Sequence, residues 1–321
     1  MKSSKVDGIL VTGVMTETPL AFVTFNRPDS AARSFESIRR ARPKTLFLVS
    51  DAARPDREGE DELVRRTRSI GEQVDWPCDV HRLYADENLG CARRISSAIT
   101  AALELVDRLI ILEDDCIAHQ DFYGYCDNLL ERYADDERVM AVSGNNFQRG
   151  HVRGDASYYF SAYPHCWGWA TWRRAWQHFD LQLSEWPDFR DEGNLKNFCG
   201  GSEQLAYWTH TFDDCHAGRI DSWAYPWTCC CWMNHGLTAL PNVNLVSNIG
   251  FNEAATHTRR KSACSELTTA SLGPITHPPH VARHFQADQF SEETLFSGAT
   301  RGGIIKRLRR KLGITTQRRA A

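Results

Sequence analysis

The sequence predicts an α/β protein with a doubly wound, mostly parallel sheet, and three observations carry that reading. Between residues 19 and 150, short apolar runs rich in β-formers alternate with amphipathic helical stretches at the spacing of βα units. The apolar runs stop at polar turns holding Asn, Asp and Glu, where a parallel sheet presents its carboxyl ends to a ligand. The length of 321 residues suits one large domain or two closely joined ones.

In chain order, Leu20-Ala-Phe-Val-Thr-Phe25 is a strand closed by the turn Asn26-Arg27-Pro28-Asp29. Residues 30–40 form an amphipathic helix with Phe35 and Ile38 inward. Thr45-Leu-Phe-Leu-Val49 is a second strand, ended by Ser50-Asp51, and residues 58–72 a polar helix. The third strand spans 79–84, and Asn88-Leu-Gly90 opens a helix over 91–105. The fourth strand, Arg108-Leu-Ile-Ile-Leu112, runs into Glu113-Asp114-Asp115. A helix over 122–133 and a strand over 139–143, ending in Gly144-Asn145-Asn146, complete the series. Beyond 150 the periodicity fades, and nine of the ten tryptophans lie between Trp167 and Trp232. The expected organisation is a ligand-binding half over 19–150, an aromatic-rich lobe over 151–260, a loop region over 261–300 and a basic amphipathic tail over 301–321.

Composition narrows the function. A net charge of −3 argues neither for a nucleic-acid partner nor for a strongly cationic ligand, and no nucleic-acid partner is expected. The first nineteen residues hold no apolar run of signal-peptide length, and no stretch of about 18 apolar residues follows, so a cytoplasmic protein is expected. Eleven cysteines without framework spacing, three of them consecutive at Cys229, Cys230 and Cys231, read as reduced thiols.

The acids after the fourth strand are the sharpest signal. Like charges at the end of an apolar strand destabilise one another unless they share a cation. A hard ion such as Mg²⁺ or Mn²⁺ needs few protein carboxylates when a substrate diphosphate supplies the other oxygens. A solvated acidic loop or a helix cap is the plainer alternative.

The run Glu113-Asp-Asp-Cys-Ile-Ala-His-Gln-Asp-Phe-Tyr-Gly-Tyr125, with Val142-Ser143, Gly168-Trp169, Trp176 and Trp186-Pro187, resembles the nucleotide-sugar glycosyltransferases of the A-type fold. N-acetylglucosaminyltransferase I-like enzymes and bacterial family 2 enzymes are both similar, over residues 19 to about 260. The resemblance implies that Asp115 ligates the metal, Asp114 approaches the ribose and Glu113 the donor sugar. Asn26, Arg27 and Asp51 would line the nucleotide site, and Arg94 would face base or phosphate, with Arg93 as its neighbour. It also implies a nucleoside-diphosphate sugar donor, UDP-linked by preference, and a glycan or lipid-linked acceptor. No Walker or dinucleotide glycine loop is present, so phosphate binding falls to the metal and the arginines.

Direct displacement at an anomeric carbon needs a base beside the acceptor hydroxyl. Asp221, before Ser222-Trp223, fills that role by resemblance, with Asp213, Asp214 and Glu203 as alternatives and a helix cap as the bland reading. Trp172 and Trp176, at helical spacing, are expected in the core, while Trp169 is expected to border the donor. His257 is a candidate to complete the metal site. His277-Pro-Pro-His280-Val-Ala-Arg-His284 has the look of a zinc array, but the double proline denies the first ligand a helix.

The expected activity is a metal-dependent, inverting transfer of a sugar. A non-catalytic sugar-binding module and a metal-dependent phosphohydrolase are the rivals. In the tail, Ile304, Leu308 and Leu312 recur every four residues among Lys306, Arg307, Arg309, Arg310 and Lys311. That pattern suits reversible contact with an anionic bilayer, and equally a solubilising tail or a dock for an acidic partner.

Overall fold

The computed structural model describes residues 15–250 and 267–296. His257 and the basic tail lie outside the described residues. The first half contains β1 (Leu20–Thr24), α1 (Pro28–Ala41), β2 (Thr45–Ser50), α2 (Glu60–Gly71), β3 (Asp79–Tyr84), α3 (Gly90–Leu105), β4 (Arg108–Glu113), β5 (Cys116–Ala118), α4 (Gln120–Arg132) and β6 (Val139–Ser143). Then come β7 (Tyr158–Ser161), β8 (Trp169–Trp172), α5 (Arg173–Trp176), α6 (Trp186–Asp191), α7 (Ser202–His216), α8 (Ala224–Met233), β9 (Leu237–Pro241), β10 (Val246–Asn248) and α9 (Phe285–Leu295).

Eight strands form one sheet in the order β3-β2-β1-β4-β8-β6-β9-β7. The first four are mutually parallel, β6 and β9 run the same way, and β8 and β7 are reversed. This is the α/β, doubly wound, mostly parallel sheet the sequence predicts. The sheet draws strands from both sides of residue 150, because β8 inserts between β4 and β6. A small antiparallel pair, β5 with β10, stands beside the end of β4.

Both faces are covered, which is why the inner strands read as continuous apolar runs. Ala21, Val23, Phe47, Val49, Leu109 and Ile111 point into a core shared with α3 and the tryptophan-rich lobe. Their alternates Leu20, Phe22, Leu46, Leu48, Ile110 and Leu112 point into a core shared with α1 and α4. Two expectations need correction. Trp172 and Trp176 are buried, but Trp172 closes a strand and only Trp176 sits on a helix. The region after 260, expected as loop, contains α9, whose buried Asp288 is salt-bridged to Arg283 and accepts from Ser161 and the Ala162 amide of the sheet edge. Among the described residues ten cysteines are free, in line with the reduced reading. No helix of the described residues is long and apolar enough to cross a membrane.

Candidate active site

In the order β3-β2-β1-β4 the winding reverses between β1 and β4. An open α/β sheet binds its ligands in the crevice outside such a reversal, because the two following loops diverge there. The loop after β1 supplies Asn26 and Arg27. The loop after β4 supplies Asp114 and Asp115, with Glu113 as the last residue of the strand.

Asp114 and Asp115 are 1% and 8% exposed. Buried carboxylates require partners. Arg27 provides them with both arms of its guanidinium, Nη2 lying 2.6 Å from Asp114 Oδ1 and Nη1 2.7 Å from Asp115 Oδ2. Asp114 Oδ2 accepts from the Phe25 amide at 3.1 Å. Asp115 Oδ1 accepts from Asn248 Nδ2 at 3.3 Å and lies 3.6 Å from Cys116 Sγ. The chain after β10 passes so close that a Cβ on Gly250 would stand 2.1 Å from Asp115 Oδ2, so only glycine fits there. Burial raises the Asp114 pKa, with Arg27 opposing. Burial works against the Arg27 charge, but Asp114, Asp115 and Glu113 outweigh it and raise that group. Glu113 is half-buried, and its carboxylate has no hydrogen bond or ion pair to a described residue; burial, then the charge of Asp115, raise its pKa.

The neighbouring groups shape the crevice's second wall. Asp51, after β2, is buried and accepts from the amides of Ala52, Leu89 and Gly90 at 3.0, 3.0 and 3.1 Å. It thereby holds the turn into α3, where Gly90 has a φ of +77°. Burial raises its pKa, and the Leu89 amide opposes. Asn26 donates to Glu60 at 2.8 Å, a buried acid paired with Arg54. Arg94 donates to the Leu83 carbonyl at 2.6 Å, and burial lowers its pKa. In this arrangement Asn26, Asp51 and Arg94 organise loops, and each is committed to a protein partner.

Asp221 reaches the same crevice from the aromatic lobe. Its carboxylate accepts from the amides of Ala92 at 2.8 Å and Cys91 at 3.2 Å, capping α3. Burial and then the charges of Glu113 and Asp221 raise the Cys91 thiol, so both acids lie near it. Asp213 instead pairs with Arg190 and Trp186, and Asp214 with Arg219. Glu203 sits in the first turn of α7.

Trp169 departs from its expected place. It is 1% exposed and stacks on Trp223 at 5.2 Å, with Trp176 and Trp227 around it. A ring enclosed in this way offers no face to a donor. Asn248, Gly250 and Cys91 belong to the crevice and were not foreseen. They carry no motif, and only the long-range fold brings them there.

A resident metal does not fit this arrangement. The donor set is hard oxygen, which suits Mg²⁺ or Mn²⁺, but both oxygens of Asp115 already accept from Arg27, Asn248 or Cys116. Among the described residues no group of three or more His, Cys, Asp or Glu side chains is placed to hold a metal ion.

No family model matches the chain, and no curated protein does. Among solved structures, the chain is similar to a mannosyltransferase from Pyrobaculum calidifontis in complex with GDP-Man and Mn²⁺, at 17% identity and a TM-score of 0.34. That match covers 49% of this chain and 44% of the other, so the chain spans less than half of that enzyme. A mannose-1-phosphate geranyltransferase from Thermus thermophilus is 13% identical over 70% of this chain and 73% of its own, with a TM-score of 0.36. HddC from Yersinia pseudotuberculosis is 12% identical over 54% and 86%, with a TM-score of 0.33.

Proposed function

We propose that the chain is a glycosyltransferase that moves a sugar from a nucleoside diphosphate to a hydroxyl acceptor with inversion. The observation that supports this reading is the gathering of Glu113, Asp114, Asp115 and Arg27 at the β1/β4 reversal, with Asp221 brought to the same crevice from the other lobe. In the reaction, the acceptor hydroxyl gives its proton to Asp221 while its oxygen attacks the anomeric carbon. The bond from that carbon to the diphosphate breaks, and its electron pair leaves with the nucleoside diphosphate. Asp51 and Asn26 shape the nucleotide side by fixing the turns at Leu89–Gly90 and Glu60. A UDP-sugar is the donor favoured by the sequence resemblance, and a glycan or lipid-linked acceptor in surface polysaccharide synthesis suits it.

Glu113 is the competing base, because its half-buried carboxylate is uncommitted among the described residues whereas that of Asp221 caps a helix. Incubation with UDP-, GDP- and CMP-sugars, with and without sugar acceptors, tests the activity. Release of nucleoside diphosphate is expected. Release of inorganic phosphate without need of an acceptor would establish a phosphohydrolase, pyrophosphate-dependent formation of a sugar 1-phosphate a nucleotidyltransferase, and binding without turnover a sugar-binding module. Asp221→Asn is expected to lower turnover roughly 10²- to 10⁴-fold with donor binding kept. If Glu113→Gln is crippled instead and Asp221→Asn is not, the base is Glu113.

A further inference from the structure

We propose that Arg27 is the resident cation of this crevice, so that the ligand-free chain excludes divalent metal ions from Asp114 and Asp115. The inference concerns the chain without its donor and stands whatever donor the protein uses.

Two adjacent carboxylates with 1% and 8% exposure repel one another, and something positive must lie between them. In this crevice the position between the two aspartates is taken by a guanidinium. Each arm of the Arg27 fork meets a different carboxylate, at 2.6 and 2.7 Å, as a bridging metal ion would. The backbone aims that side chain. Arg27 is the residue before α1, and Pro28 at the first helical position fixes the direction in which the chain leaves β1. The other oxygen of each acid accepts from the protein. Asp114 gives its other oxygen to the Phe25 amide, and Asp115 gives its other oxygen to Asn248. Gly250 closes over the Asp115–Arg27 contact, where a Cβ would stand 2.1 Å from Asp115 Oδ2 and 3.1 Å from Arg27 Nη1. A metal ion seeking Asp115 must therefore displace a partly buried, charge-paired arginine rather than water.

The expected metal requirement consequently changes form. A bare Mn²⁺ ion meets Asp114 and Asp115 already paired with Arg27, although the acids that would attract it are present. The control point is Arg27.

Titration with Mn²⁺ alone, read by the electron paramagnetic resonance of the free ion in the absence of nucleotide, tests this on the full chain. Wild type should show no saturable site that Asp115→Asn abolishes. Arg27→Ala uncovers both carboxylates and should bind Mn²⁺ on the order of tenfold or more tightly than wild type, with Asp115→Asn in that background removing the gain. Arg27→Lys keeps a charge without the fork and cannot bridge both carboxylates, so its Mn²⁺ affinity should fall between wild type and Arg27→Ala. Saturable, Asp115-dependent Mn²⁺ binding by wild type overturns the proposal, and so does an Arg27→Ala protein that is folded and no better at binding. Should Arg27→Ala fail to fold, the wild-type titration and Arg27→Gln decide by the same criteria. Loss of nucleoside diphosphate release from sugar donors tests the transferase reading separately and leaves this result untouched.

Discussion

The acid crevice and the aromatic lobe both hide groups that water would hold well, and they do so in opposite ways. In the crevice, charge is buried and matched: Asp114 and Asp115 share Arg27, and Asp51 is met by three amides. In the lobe, rings are buried for their area, and polar atoms are matched unevenly. Trp186, Trp208 and Trp232 donate to Asp213, Glu292 and the Ala162 carbonyl. Among the described residues Trp169 Nε1, Trp227 Nε1 and His165 Nε2 have neither a hydrogen bond nor an ion pair, whereas Asp114 Oδ1, which also lacks a hydrogen bond, is met by the Arg27 charge. The lesson is that aromatic density marks the core of this molecule, and matched charge at the ends of the parallel strands marks the place for chemistry.

The largest effect is expected at Trp169. It lies in a stack with Trp223, Trp176 and Trp227, so Trp169→Ala should lower unfolding stability by about 3–5 kcal/mol in chemical denaturation. Trp169→Phe should be milder and should leave donor affinity unchanged. A Trp169→Phe protein that keeps its stability yet loses donor binding would mean that the ring reaches the ligand, and the division between the regions would fail.

His165 comes next. It packs among Phe147, Tyr163 and Phe296, and burial lowers its pKa to about 3. In the unfolded chain its pKa is about 6.5. Between those values the unfolded state takes up a proton that the folded state refuses, so stability falls as pH drops below about 6.5. The loss attributable to this residue should be about 2 kcal/mol between pH 7 and pH 5. His165→Phe should remove that part of the acid limb in denaturation curves compared across pH. An unchanged acid limb in the variant would show that the imidazole finds a proton acceptor or water in the folded state.

The division also explains what was readable in advance. The strands β1, β2, β4 and β6 announced themselves because both faces of an inner parallel strand are apolar, and the acids after β4 stood out because nothing apolar explains them. Tryptophan spacing misled. Trp172 and Trp176 are four apart, as on a helix, but a strand ends at one and a single helical turn at the other. Contacts between distant parts of the chain were the illegible ones. Arg27 was expected near a nucleotide, yet its partner Asp115 is 88 residues away, and Asp221 caps an amide 130 residues earlier. Neither pairing leaves a local pattern, because each depends on how the loops meet once the sheet has formed.

The smallest effect on stability lies at a residue that joins the two regions. Asp221 belongs to the lobe, yet its carboxylate accepts from the Cys91 and Ala92 amides at the start of α3, beside Glu113. A cap of this kind contributes about 1 kcal/mol, and asparagine caps nearly as well as aspartate while alanine does not. Asp221→Ala should therefore lose about 1 kcal/mol in denaturation and Asp221→Asn much less. Activity separates two roles that stability cannot. A base is lost in both variants, because an amide takes no proton, so both should turn over slowly while only the alanine protein is destabilised. If Asp221→Asn stays active and only Asp221→Ala is impaired, Asp221 positions α3 and Cys91 without handling the acceptor proton, and the proton passes to Glu113. The crevice would then draw all its chemistry from the sheet, and the lobe would supply only the cap that closes it.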